Sequence, residues 1–131
     1  MATSRQGSAV VRHLSKSGNF HIRAITRTPS SKGAKALANL ANVEIVQGDL
    51  LKTESLERCF LGAYGVFGNT TPTKGWLLGR GSMVRSYELE QGRNLVDIVK
   101  KYTDIGTLKH FVFSSVCKAK DPLKSEPAPG H

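Results

Sequence analysis

At 131 residues the chain is long enough for one hydrophobic core and one domain. Its 39% hydrophobic and 22% charged content is that of a globular protein and argues against a disordered one. The formal net charge of +9 favours anionic partners, but the basic residues are scattered from Arg5 to Lys124 and their densest group, Lys118, Lys120 and Lys124, has no interleaved aromatics, so nucleic acid is not the expected partner.

Helical and alternating patterns follow one another with short connections. Residues 5–17 read as a helix with Val10, Val11 and Leu14 toward the core, stopped by Gly18-Asn19. Residues 20–26 alternate as a strand, with Phe20, Ile22 and Ala24 on one side. Pro29 closes the next loop, and an Ala-rich helix over 30–40 turns Ala34, Leu37 and Ala38 inward. A short strand at Val43, Ile45 and Val46 stops at Gly48-Asp49. Thr53 is the expected N-cap of a third helix, whose inner face is Leu56, Cys59 and Phe60. A strand over 63–67 leads into a Gly- and Thr-rich loop, 68–81, that holds the only tryptophan, Trp76. The longest helix, 82–102, carries Leu95, Ile98, Val99 and Tyr102 on its apolar stripe. A β-prone strand over 110–116 precedes a polar tail, 117–131, with Pro122, Pro127 and Pro129. Alternation of this kind predicts an α/β fold, a doubly wound parallel sheet covered on both faces.

Cys59 and Cys117 form no C-x-x-C pair, and His13, His21, His110 and His131 show no ligand spacing, so neither a metal site nor a disulfide framework is expected. No apolar run approaches a membrane span and the N-terminus lacks a signal-peptide stretch. The expected compartment is cytoplasmic, with the nucleus left open.

Chemistry concentrates where the predicted strands end. The opening Met1-Ala2-Thr3-Ser4-Arg5-Gln6-Gly7 matches the register of a Rossmann phosphate turn, Gly-Ala-Thr-Gly-x-x-Gly, with Met1 and Ser4 at two glycine positions and Gly7 at the third. Backbone N–H groups of such a turn face a pyrophosphate at a helix N-terminus, which makes Ser4, Arg5, Gln6 and Gly7 candidate cofactor contacts. Arg27 follows about twenty residues later, where an arginine accommodates the 2′-phosphate of NADP, and Lys32 adds charge; the plainer alternative is an exposed surface arginine. Asp49 and Leu50 end the predicted strand at Val43, Ile45 and Val46, where a carboxylate can accept from adenine and a leucine can cover the ring, or where a plain turn or helix cap suffices. Asn69 and Thr70 are candidates for the cofactor ribose, or loop polar residues. Ser114 and Ser115 end the last strand and can meet a substrate carbonyl, but no Tyr-x-x-x-Lys follows, so no catalytic residue is assigned. Lys74-Gly75 and Gly79-Arg80-Gly81 lack the Gly-Lys-Ser/Thr of a phosphate loop and are discounted.

Six stretches together carry a family resemblance: Ala2-Thr3-x-Arg5-Gln6-Gly7, Arg23-Ala24-x-Thr26-Arg27, Val46-x-Gly48-Asp49-Leu50, Gly65-Val66-Phe67, Glu88-x-x-Gln91-Gly92-x-Asn94-Leu95-Val96-Asp97 and Lys109-His110-Phe111-Val112-x-Ser114-Ser115. In order and spacing the chain resembles the N-terminal part of the NmrA-like family, a branch of the atypical short-chain dehydrogenase/reductases. The resemblance implies an NADP(H)-binding Rossmann domain over 1–116, followed by the polar tail 117–131. It implies either a redox-sensing regulator that meets a protein partner in transcriptional control, without turnover, or a quinone or isoflavonoid-type reductase. A basic interaction module is the remaining alternative.

Family members begin with a strand before the turn and continue past Gly130-His131 through a substrate lobe. Here the turn opens the chain. In a 3-2-1-4-5 strand order the missing strand is central, so the expectation is two separate strand pairs with exposed inner edges.

Overall fold

In the computed structural model, residues 2–70 and 81–114 are described, with side chains from residue 88 onward in the second stretch. Residues 71–80, which include Lys74-Gly75, Trp76 and Gly79-Arg80, together with Ser115 and the tail 117–131, lie outside the described residues.

Helix α1, Arg5–Ser17, begins at Ser4, whose hydroxyl caps it, and ends at Gly18 with φ 74°, the left-handed stop that glycine adopts at least cost. Strand β1, Ile22–Thr26, starts two residues later than the alternation predicts, and Phe20 stands outside it with 47% exposure. Helix α2, Lys32–Ala38, is shorter than predicted because Ser31, not residue 30, is the cap; its Oγ accepts from Ala34 N–H at 3.2 Å. Ala34 and Leu37 are buried as expected, whereas Ala38 faces solvent on the last residue of the helix.

Strand β2, Val43–Gln47, is followed by α3, Thr53–Phe60. Thr53 is the first residue of that helix and not its cap; Lys52 holds the cap position and makes no side-chain bond. The predicted inner face Leu56, Cys59 and Phe60 is buried. Strand β3, Gly65–Asn69, lies two residues beyond the predicted span. Helix α4, Gly81–Ile105, buries Leu95, Ile98, Val99 and Tyr102, and β4, His110–Ser114, completes the described chain.

The strands form two parallel pairs, β1 with β2 and β3 with β4. This is the division expected of a sheet without its central strand. In β1 the odd positions turn their backbone away from β2, since Ile22 N–H and Thr26 C=O are the groups bonded on that side. On the free edge Ile25 C=O accepts from Ala2 N–H at 3.0 Å. The N-terminal residues therefore lie along the inner edge of β1.

Among the described residues two clusters form the core. One packs Ile22 and Ala24 of β1 against Val11 of α1 and Leu37 of α2. The other joins Leu50, Leu56, Cys59 and Phe60 to Leu95, Ile98, Val99, Tyr102 and Leu108, with Ile25, Val46 and Val66 laid on it. Strands from both pairs thus share one cluster between α3 and α4. Close approach at β3 depends on Gly68, where a Cβ would lie 2.5 Å from Leu95 Cδ2.

Candidate functional site

Residues 2–4 touch three elements at the carboxyl ends of the strands. Ala2 holds the end of β1 through Ile25, and the Thr3 side chain lies against α2, 3.5 Å from where a Cβ on Gly33 would stand. Ser4 reaches β3, because Asn69 Nδ2 donates to Ser4 Oγ at 3.1 Å. The same oxygen accepts from Gly7 N–H at 3.1 Å.

Ser4 sits at φ −67° and ψ 163°, an extended conformation open to any residue. The turn therefore does not need glycine there for backbone reasons, and the serine adds an N-cap that glycine could not supply. Gly7 is buried within the first turn. Arg5 and Gln6 stand at the two positions ahead of it. Their N–H groups have no intrahelical acceptor, as in every first turn, and none among the described residues. The site thus opens on two uncommitted backbone donors at the positive end of a 13-residue helix.

The loop from β1 to α2 is shaped by its own hydroxyls. Thr28 N–H donates to Thr26 Oγ1 at 3.2 Å, and Ser31 N–H to Thr28 C=O at 3.1 Å. Arg27 stands just past the end of β1 and Lys32 is the first residue of α2. Both cations are exposed, and neither has an ion-pair partner among the described residues.

The turn after β2 is held from several sides. Asp49 Oδ1 accepts from Leu51 N–H at 2.9 Å, Asp49 N–H donates to Ser55 Oγ at 2.9 Å, and Asn94 Nδ2 of α4 donates to the Leu50 carbonyl at 2.6 Å. Leu50 itself is 8% exposed and packs in the core between α3 and α4, so its side chain is engaged by protein. Thr70 follows β3 half-buried, and Ser114 ends β4 half-buried. The structure brings Ser4, Arg5, Gln6, Gly7 and Asn69 into one place, while Arg27 and Lys32 make no described bond to it. Direct bonds link only Ser4, Gly7 and Asn69 within that set.

Sequence reasoning missed Thr3, Ser31, Ser55 and Asn94 as the groups that shape these turns. Ser31 carried a usable signal, a serine three residues ahead of the first buried helical residue. Asn94 was visible only inside the motif of the long helix.

Among the described residues the groups with shifted protonation lie elsewhere. Glu57 on α3 accepts from Lys101 Nζ at 2.7 Å and from the Tyr102 hydroxyl at 2.8 Å, and these two bonds hold its carboxyl below the usual range. Burial pushes the Cys59 thiol up. Neither group adjoins the turn at Ser4. Among the described residues no cluster of histidine, cysteine and carboxylates suits a metal ion, and no helix is long and apolar enough to cross a membrane.

The model of the NmrA-like family matches residues 1–131. The chain belongs to that family. Among its relatives is the NmrA-like family domain-containing oxidoreductase notA′ of Aspergillus versicolor, 40% identical over 114 residues, which are 87% of this chain and 30% of that protein. The FrzB oxidoreductase of Cladobotryum is 34% identical over 115 residues, 87% of this chain and 32% of the relative. The chain thus spans about 30% of the length of the curated relatives it matches. Its fold resembles solved structures of NmrA, described as a negative transcriptional regulator. The complex with NADP has a TM-score of 0.65 at 28% identity, over 87% of this chain and 31% of that one. The complex with NAD has a TM-score of 0.67 at 26% identity, over 88% and 32%. The parallel strand pairs and their helices are accordingly part of a Rossmann-like α/β fold.

Proposed function

We propose that this chain binds NADP(H) as the dinucleotide-binding part of an NmrA-like protein and does not catalyse hydride transfer by itself. The observation that carries the reading is the pair of uncommitted N–H groups at Arg5 and Gln6, placed by Ala2 and Ser4 between the carboxyl ends of β1 and β3. A pyrophosphate supplies the acceptors that this helix end lacks. Arg27 and Lys32 would hold the 2′-phosphate, Asp49 the adenine amino group, and Asn69 and Thr70 the ribose. Family membership and the likeness to dinucleotide complexes of NmrA support the same ligand class. Bound NADPH would supply a hydride. Ser114 could orient a carbonyl, but the sequence offers no Tyr-x-x-x-Lys after it to supply a proton.

Two readings of the whole protein follow from two observations. The description of NmrA as a negative transcriptional regulator supports a redox-sensing protein with a protein partner. The oxidoreductase names of relatives at 34 to 40% identity support an NADPH-dependent reductase. Following NADPH absorbance with a panel of quinones and enones separates them: sustained oxidation favours the reductase, and its absence with tight cofactor binding favours the sensor.

Calorimetric titration of NADP(H) and NAD(H) against the unmutated chain and Arg27→Ala tests the cofactor assignment. The unmutated chain should prefer NADP(H), and the substitution should remove most of that preference. A charge-assisted phosphate contact is worth about 1.5–3 kcal/mol, or roughly ten- to a hundredfold in affinity. Equal affinities in the unmutated chain would rule Arg27 out.

A further inference from the structure

Charge is unevenly placed along the chain. Residues 1–43 hold seven of the nineteen lysines and arginines and none of the ten acidic residues. The rest of the sequence is nearly balanced, with twelve cations against ten acids.

The fold gathers the cations of the first stretch. Helices α1 and α2 adjoin each other on one face of the β1–β2 pair, where Val11 and Leu37 pack on Ile22 and Ala24. Along α1, Arg5, Arg12 and Lys16 recur at seven and four residues, so they share one side of the helix over about 16 Å. On α2, Lys32 and Lys35 share a side in the same way. All five are exposed. None makes an ion pair among the described residues, where the three ion pairs join His21 to Glu44, Lys100 to Asp104 and Lys101 to Glu57.

For the chain by itself this arrangement is unfavourable. Arg12 and Lys16 are like charges at i and i+4, which weakens a helix. Arg5 and Lys32 stand in first turns that hold no acidic residue, at the helix end that disfavours cations. The dinucleotide reading gives Lys32 a phosphate, but it leaves Arg12, Lys16 and Lys35, further along the helices, without a role. A face that served solubility alone would intersperse both signs, as α4 does with Lys100 and Asp104.

We infer that the outer face of α1 and α2 is a docking surface for an acidic helix of a protein partner, separate from the dinucleotide site. A line of cations at helical spacing matches carboxylates that repeat every three or four residues on a helix laid alongside. Ala9 on α1 and Ala36 on α2 are exposed and small, which permits close approach. Two other polyanions fit this face less well. Neither helix holds a Phe, Tyr or Trp on which bases could stack. Neither exposes a large apolar side chain that would anchor it in a lipid surface.

The test titrates the full chain with an Ala-rich helical peptide carrying Glu at every third or fourth position, and with the same peptide carrying Gln instead. The Glu peptide should bind, the Gln peptide should not, and added salt should weaken the binding. Arg12→Glu, Lys16→Glu and Lys35→Glu together should weaken it roughly tenfold or more. Arg93→Glu, at an exposed position of α4, should leave it unchanged. Far-UV circular dichroism checks that the helices persist. If the reversals unfold the chain, Arg12→Gln, Lys16→Gln and Lys35→Gln decide the matter by a smaller loss in the same direction.

Equal binding of the Glu and Gln peptides would overturn the inference, as would equal losses from the α1–α2 variants and from Arg93→Glu. Random-sequence duplex DNA and phosphatidylserine vesicles are the remaining arms. Tighter binding of either than of the Glu peptide at the same salt would overturn the choice of partner and give the face to phosphates.

Discussion

The β1–β2 and β3–β4 pairs are built alike, five residues against five in parallel register, yet they are covered differently. In the first pair Ile22 and Ala24 are buried under α1 and α2, while Ile25 and Val46 lie on the cluster between α3 and α4. Both faces meet helices. In the second pair Val66 and Gly68 meet α4, but Val112 on the opposite face is 58% exposed and Phe111 and Phe113 are 38% and 39% exposed. Apolar composition, then, does not report burial. Val112 stands in solvent because no helix among the described residues covers its face, while Phe111 and Phe113, paired with Val66 and Gly68 on the α4 side, are only partly covered. Parallel strands read as continuous apolar runs when both faces are covered, and β4 has the run without the cover.

The largest effect that would break this comparison is a cavity. Leu56→Ala removes a side chain with 0% exposure from the cluster shared by both pairs, and should cost about 2–5 kcal/mol. Val112→Ala should cost no more than about 0.5 kcal/mol, as exposed substitutions do. Urea denaturation of the two variants measures the contrast. Similar costs would mean that β4 is covered in solution, and that the asymmetry between the pairs is not a property of the fold.

That contrast also marks how far the sequence could be read. The inner faces of α3 and α4 were legible because a 3.6-residue period is a local property: Leu56, Cys59, Phe60, Leu95, Ile98, Val99 and Tyr102 were all named by spacing and all are buried. Helix α1 was legible to the residue, since a serine cap and a left-handed glycine bracket it. The strand ends were not. Their limits are set by partners, as where Phe20 has no opposite residue on β2, whose pairing begins at Ile22 with Val43. The division into two pairs was an expectation of the family's strand order combined with the strand that precedes the turn in family members. Within the site, the candidate positions could be guessed from motif spacing, but not the bond from Asn69 to Ser4. Nor could spacing show that Leu50 belongs to the core, or that Arg23 donates to the Cys59 and Leu61 carbonyls at the end of α3. These contacts join residues 36 to 65 positions apart, and nothing periodic announces them.

A smaller effect isolates the covered face of the second pair. Gly68→Ala would set a Cβ 2.5 Å from Leu95 Cδ2 and 3.5 Å from Phe111 Cε2. Leu95 is 2% exposed and wedged in the core, so it has little room to turn aside. Overpacking of this kind costs about 1–3 kcal/mol. The loss should be accompanied by faster amide exchange in β3 and β4, with β1 and β2 nearly unchanged. Uniform acceleration across all four strands would show that the pairs open as one unit.

The smallest effect is electrostatic and concerns the link between the helices that cover the two pairs. Glu57 on α3 binds Lys101 and Tyr102 on α4, and its carboxyl is held down first by the Lys101 bond and then by that of Tyr102. In the unfolded chain the group returns to its ordinary value of 4.5. The contribution of the carboxylate is therefore present above that value and is lost as pH falls through the lower folded pKa. Lys101 runs the other way. Its pKa is raised, chiefly by the bond to Glu57, so its share is intact below the ordinary 10.5 and is lost as pH rises through the higher folded value. Both side chains are about half exposed, at 51% for Lys101 and 46% for Glu57, so water and salt screen the pair and the effect is modest. Glu57→Gln should flatten the acid limb of the stability profile as pH falls below the ordinary 4.5, and added salt should narrow the difference from the unmutated chain. Urea midpoints across that range, at low and high ionic strength, measure both. An acid limb as steep in Glu57→Gln as in the unmutated chain would move the acid sensitivity to another carboxylate and leave the α3–α4 contact resting on its apolar cluster.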